Sequence, residues 1–120
     1  MATRDLVEID ERRLLRRLDD LAQRGALAQG GIYRPLYSSA WSSAMELVTS
    51  WMKEAGLLVR RDAVGNVWGR IEGSRGGRVI ATGSHIDTVR GGGALDGALV
   101  YTTARASIVG RIASPLSRRC

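Results

Sequence analysis

The sequence predicts an α/β protein, and three observations lead there. Two stretches before Gly56 place apolar side chains at helical spacing. The apolar rhythm then changes from helical to alternating over residues 57–73, as in a hairpin. A short run, "VIATG" (79–83), follows without alternation, the pattern of a strand buried on both faces. Helices followed by such strands indicate an α/β arrangement.

The elements follow in order. Asp10 is placed as the N-cap of "ERRLLRRLDDLAQR", with Ile9 and Leu14 at the two positions of a hydrophobic staple. Leu14, Leu18, Leu21 and Ala22 recur as one buried stripe, and Gly25 is the natural stop. Arg12, Arg13, Arg16 and Arg17 lie near Asp19 and Asp20, which reads as a solvated face rather than a basic patch. "AQGGIYRPLYSS" is a loop, broken by a Gly-Gly pair and Pro35. A second helix follows in "SSAWSSAMELVTSWMKEAG". Ser43 and Glu46 match a capping box, and Ser39 is an alternative start. Trp41, Ala44, Met45, Val48, Met52 and Ala55 form its apolar face, and Gly56 ends it. "LLVRRDA" and "NVWGRIEG" read as two strands around Gly65-Asn66. "GRVIATGS" reads as a third, and a helix is open to residues 98–112.

Composition bounds the function. The chain has 120 residues, 44% of them hydrophobic, enough for one modest core. No run approaches the roughly 20 apolar residues that span a bilayer, so no membrane partner is expected. The first residues carry acids and no apolar run, which speaks against a secretory leader. Cys120 is the only cysteine, which fits a reducing compartment and makes the cytoplasm the expected location. The net charge is +6, of which residues 97–120 supply +4 through four arginines and no acid. That excess is terminal and not interleaved with tryptophan or tyrosine, so nucleic-acid binding is not the expected function.

The chemistry concentrates in "GSHIDTVRGGGALDGAL" (83–99), which holds His85, the only histidine. In open α/β sheets ligands gather at the carboxyl ends of strands, where His85 would fall. Asp87 is too close in sequence to share a metal easily with it but is placed to fix the imidazole. Asp96 follows a glycine turn and precedes "GALV", as a helix N-cap or as a carboxylate for a divalent ion. The plain alternative is a structural histidine and an Asp-Gly turn.

This segment resembles the first metal-binding segment of the dizinc amidohydrolases of the aminoacylase and carboxypeptidase superfamily. The hydantoinase/carbamoylase branch is the most similar, including N-carbamoyl-L-amino acid hydrolase, allantoate amidohydrolase and β-ureidopropionase. "YSSAWSSAMELVTSWMKEAGL" and "VRRDAVGNVWGRIEG" are similar to that family's second helix and first hairpin, so the likeness covers about residues 8–100. It implies the N-terminal part of a dizinc-peptidase-like catalytic domain: two helices, a hairpin and a buried strand. It also implies that His85 ligates one metal, that Asp96 bridges both, and that Asp87 is the catalytic-site residue orienting His85. The cofactor would be two divalent ions (Zn, or Mn, Co or Ni), and the substrate a small ureido or amide compound cleaved at C–N. Arg90 stands where the family often has proline.

The family's Glu-Glu pair, which supplies the general base and a ligand, and its two later histidines have no counterpart here. Its dimers form through a lid domain that is also lacking. The expectation is a truncated segment, residues 1–100, with little or no activity alone. Residues 101–120 are expected to be a non-native tail after a frameshift, the alternative being a genuine short protein with a basic C-terminal helix. A non-catalytic module that associates with a partner chain is the competing reading, and a small basic nucleic-acid binder the third. Val79 and Ile80 are expected to be exposed if nothing covers the strand.

Overall fold

The computed structural model describes residues 9–74 and 77–99. The predicted tail (101–120), with Cys120, and most of the predicted C-terminal helix lie outside the described residues. Ala98 and Leu99, at their edge, are helical.

Helix α1 spans Glu11–Ala22, and Asp10 caps it as expected by accepting a hydrogen bond from the Arg13 amide at 3.0 Å. Leu18 and Leu21 are its buried residues, and Leu14 packs partly buried beside them. Helix α2 spans Ser39–Glu54, so the alternative start is the one adopted. Its N-cap is Ser38, whose hydroxyl accepts from the Trp41 amide at 3.1 Å. The capping box at Ser43 and Glu46 does not form, because Ser38 already caps the helix one turn earlier. Ser43 lies inside the helix, and its hydroxyl accepts a bond from Arg24 Nη1 at 3.0 Å.

All six residues assigned to the α2 apolar face are buried, and Trp51 joins them. The Arg17 guanidinium covers Trp51, 5.2 Å from the ring centroid, and pairs with Glu54 at 3.5 Å. Part of the basic face of α1 is therefore spent on packing the two helices together. At the C-terminus the Leu57 amide donates to Met52 O and the Gly56 amide to Lys53 O. This is a Schellman motif, and Gly56 takes the left-handed conformation it requires (φ 75°).

The chain then enters an antiparallel hairpin, β1 (Leu58–Arg61) and β2 (Val67–Arg70), with Leu58 opposite Arg70 and Arg61 opposite Val67. Asp62 holds the connection together. Its carboxylate accepts from the Val64 and Asn66 amides, from Asn66 Nδ2 and from Trp68 Nε1, at 2.8–3.1 Å. Those donors hold the Asp62 pKa down at about 2. The hairpin lies on α2, with Val59 and Val67 packed partly buried against the core.

The predicted third, buried strand is not formed among the described residues: 77–84 pair with nothing as a strand, and Val79 and Ile80 are 79% and 95% exposed. A strand buried on both faces needs a partner strand on each side and a layer over each face. Here β1 and β2 pair only with each other. No helix among the described residues is long and apolar enough to cross a membrane.

Candidate metal centre

The sequence "HIDT" reads out alternately. Ile86 and Thr88 are buried, whereas the His85 and Asp87 side chains are about half exposed, at 53% and 48%. Ile86 belongs to the core cluster, so hydrophobic burial fixes the face on which His85 and Asp87 stand.

Hydrogen bonds fix their position along the segment. The Thr88 amide donates to Arg34 O at 2.9 Å, and the Arg34 amide donates to Thr88 Oγ1 at 2.9 Å. Thr88 Oγ1 in turn donates to Ile32 O at 3.1 Å. A reciprocal pair between Ile32 and Gly92, at 3.0 and 2.9 Å, ties down the far side of the turn. Arg90 lays its guanidinium over the Tyr33 ring at 5.3 Å.

The three expected site residues come together. His85 Nδ1 donates to the Asp87 backbone carbonyl at 3.0 Å and lies 3.3 Å from the Asp87 carboxylate. A carbonyl can only accept, so this bond places a proton on Nδ1, and in the neutral imidazole the lone pair is then on Nε2. Nε2 faces Asp96, 3.9 Å from Oδ1. Asp96 is brought there by its neighbour, because Ser84 Oγ donates to Gly97 O at 2.9 Å. Gly97 adopts φ 66° with its Cα pressed on the His85 carbonyl, so that a Cβ would overlap that oxygen. Only glycine fits this approach.

An imidazole nitrogen and a carboxylate oxygen are a donor set that divalent first-row ions accept. Two ligands of one tetrahedral zinc lie about 3.4 Å apart, from bond lengths near 2.0–2.1 Å. The 3.9 Å between His85 Nε2 and Asp96 Oδ1 is about half an ångström longer than that. The donors fit as a pair and no further: no group of three or more histidine, cysteine, aspartate or glutamate side chains able to hold a metal exists among the described residues.

Arg34 is the residue that sequence reasoning missed. It is 1% exposed, one of the two buried polar side chains among the described residues. Its Nε donates to Ile86 O at 2.6 Å, and its Nη1 donates to Leu21 O and Arg24 O at 2.7 and 2.8 Å. The guanidinium thus closes the carbonyl end of α1, where a cation is favoured, and grips the histidine segment at once. Burial pulls its pKa below the usual arginine value while the Asp87 charge opposes that. At physiological pH it stays charged. The signal in the sequence was slight. An arginine before proline is held extended, as "YRPL" requires here, but its carbonyl partners are distant in sequence.

The same architecture occurs in solved amidases. A hydantoinase/carbamoylase family amidase from Burkholderia ambifaria superposes with a TM-score of 0.82 at 34% identity, over 88% of this chain and 26% of that one. The allantoate amidohydrolase of Bacillus subtilis is 52% identical over 79 residues, 65% of this chain and 19% of that protein. The N-carbamoyl-L-amino acid amidohydrolase of Geobacillus stearothermophilus is 42% identical over 92 residues, 76% of this chain and 22% of that protein. No protein-family model matches the chain. In sequence and fold the chain is similar to one segment of these amidohydrolases. More narrowly, it belongs with the hydantoinase/carbamoylase enzymes, and it spans about a fifth of the length of the curated relatives it matches.

Proposed function

We propose that residues 83–99 carry part of a two-metal site for hydrolysis of linear C–N bonds, in N-carbamoyl amino acids, allantoate or related ureido compounds. His85 would ligate one ion through Nε2, Asp96 would bridge two, and Asp87 would hold the His85 ring. The observation that carries this reading is the approach of His85 Nε2 to Asp96 Oδ1 at 3.9 Å, with Nδ1 engaged by Asp87. The names of the relatives supply the substrate class. When bound, divalent ions such as zinc, manganese, cobalt or nickel would activate a water and polarise the scissile carbonyl.

On this reading the 120-residue chain is not a working enzyme alone. A catalytic zinc takes three protein ligands and a water, and the described residues offer one imidazole and neighbouring carboxylates for two ions. The proposed domain division is 1–100 as the hydrolase segment and 101–120 as a tail foreign to it, on the change in composition after Asp96. The cytoplasm is the proposed location, on the single cysteine. The purified chain, supplied with each metal in turn, should release no product from an N-carbamoyl-L-amino acid or from allantoate beyond a His85→Ala control. Robust metal-dependent turnover abolished by that substitution would contradict the incompleteness.

One observation favours a second reading. The exposure of Val79 and Ile80 suits a module completed by a second chain that covers this segment and brings the remaining ligands. Co-purification with such a chain, together with turnover by the complex, would establish it.

A further inference from the structure

We infer that Arg34 is the positioning residue that sets the orientation of the His85 imidazole, an inference resting on the reading of His85 as a metal ligand. The hydrogen bonds of Arg34 go to Leu21, Arg24, Ile86 and Thr88, so it acts on His85 through the backbone of that segment. Its Nε binds Ile86 O at 2.6 Å, and its own amide and carbonyl bind the Thr88 hydroxyl and amide, each at 2.9 Å. The residues on both sides of Asp87 are thereby fixed. Asp87 O, between them, stands 3.0 Å from His85 Nδ1, and that bond selects, for the neutral ring, the tautomer with Nε2 open toward Asp96.

The other end of the guanidinium explains why the hold is rigid. Nη1 is bound to Leu21 O and Arg24 O at the end of α1, and Leu21 is itself 1% exposed in the core. A planar fork with several fixed donors can serve Ile86 and the helix end simultaneously. A lysine ammonium is a single point charge on a flexible stem and cannot. Residues that orient a metal-ligating histidine typically contribute about ten- to a hundredfold in metal affinity.

His85 is the only histidine, so the ring nitrogens of the isotope-labelled full chain give one imidazole signature. Proton–nitrogen correlation spectra at about pH 8, above the usual histidine pKa, report its tautomer without any metal. Addition of zinc alone then reports affinity, and tryptophan emission reports folding. The native chain is expected to hold the Nδ1–H tautomer. Arg34→Lys should shift it toward the Nε2–H form and weaken zinc binding about ten- to a hundredfold. Thr88→Val, a smaller change that removes one clamp from the same segment, should move both readouts in the same direction. A folded Arg34→Lys chain with the native tautomer overturns the inference. Unfolding of Arg34→Lys combined with an unaltered His85 signature in Thr88→Val also overturns it, since Arg34 would then serve the core alone. If the native chain binds no zinc, the ligand reading fails by itself, and the tautomer comparison still decides the role of Arg34.

Discussion

Replacing Gly97 with alanine tests the local geometry of the site. Gly97 sits at φ 66°, and a left-handed backbone costs a non-glycine residue about 1–2 kcal/mol. The new methyl group would overlap the His85 carbonyl oxygen and stand 3.0 and 3.1 Å from His85 C and Cδ2. Relief requires the two backbones to separate, and overpacking of this kind costs about 1–3 kcal/mol more. The sum is about 2–5 kcal/mol, a large share of the stability of a small domain. The loss should be visible from the core, because Ile86 and Ala98 flank the contact and both belong to the tryptophan-containing cluster. In urea, with a slope of about 1–3 kcal/mol per molar, the midpoint followed by tryptophan emission should fall by at least about 0.7 M. Gly93→Ala is the control, since Gly93 has no positive φ and no neighbour within 4 Å of a built Cβ. It should change stability by less than about 0.5 kcal/mol. Equal midpoints for the two variants would refute the close approach that holds Asp96 beside His85.

Two further outcomes follow from the scaffold. Asp62 has its pKa lowered to about 2, first by the Trp68 indole N–H and then by Asn66. Its contribution is therefore complete above the unfolded value near 4 and is lost as pH falls through about 2. Asp62→Asn should flatten that part of the pH dependence of the urea midpoint, and an unchanged acid slope would count against the carboxylate latch. Val79→Lys with Ile80→Lys should reduce concentration-dependent light scattering while leaving the tryptophan transition in place, because both side chains stand in solvent at 79% and 95% exposure. Unaltered scattering would mean that this segment is not the adhesive surface.

What the sequence made legible is what local chemistry decides. Asp10 was readable as a cap because its partner, the Arg13 amide, is three residues away. The α2 face was readable from spacing alone, and Gly56 as its stop, since the Schellman bonds close within the same few residues. His85, Asp87 and Asp96 were readable as a group because one short segment carries all three. The failures are non-local. Ser43 matched a capping pattern but lost the competition to Ser38, which is placed to put Trp41 on the buried face. Residues 79–83 have strand composition, yet a strand is defined by neighbours, and none among the described residues pairs with them. Arg34 was passed over because its role depends on three carbonyls, at Leu21, Arg24 and Ile86, that only the folded chain assembles.

The central claim is that His85 and Asp96 share a divalent ion, and zinc titration by calorimetry tests it most directly. The native chain should bind zinc at a site that His85→Ala abolishes and Asp96→Asn weakens at least about tenfold. Asp19→Asn, an exposed carboxylate on α1, should bind as the native chain does. Zinc affinity unaffected by Asp96→Asn, or reduced as much by Asp19→Asn, would contradict the shared site.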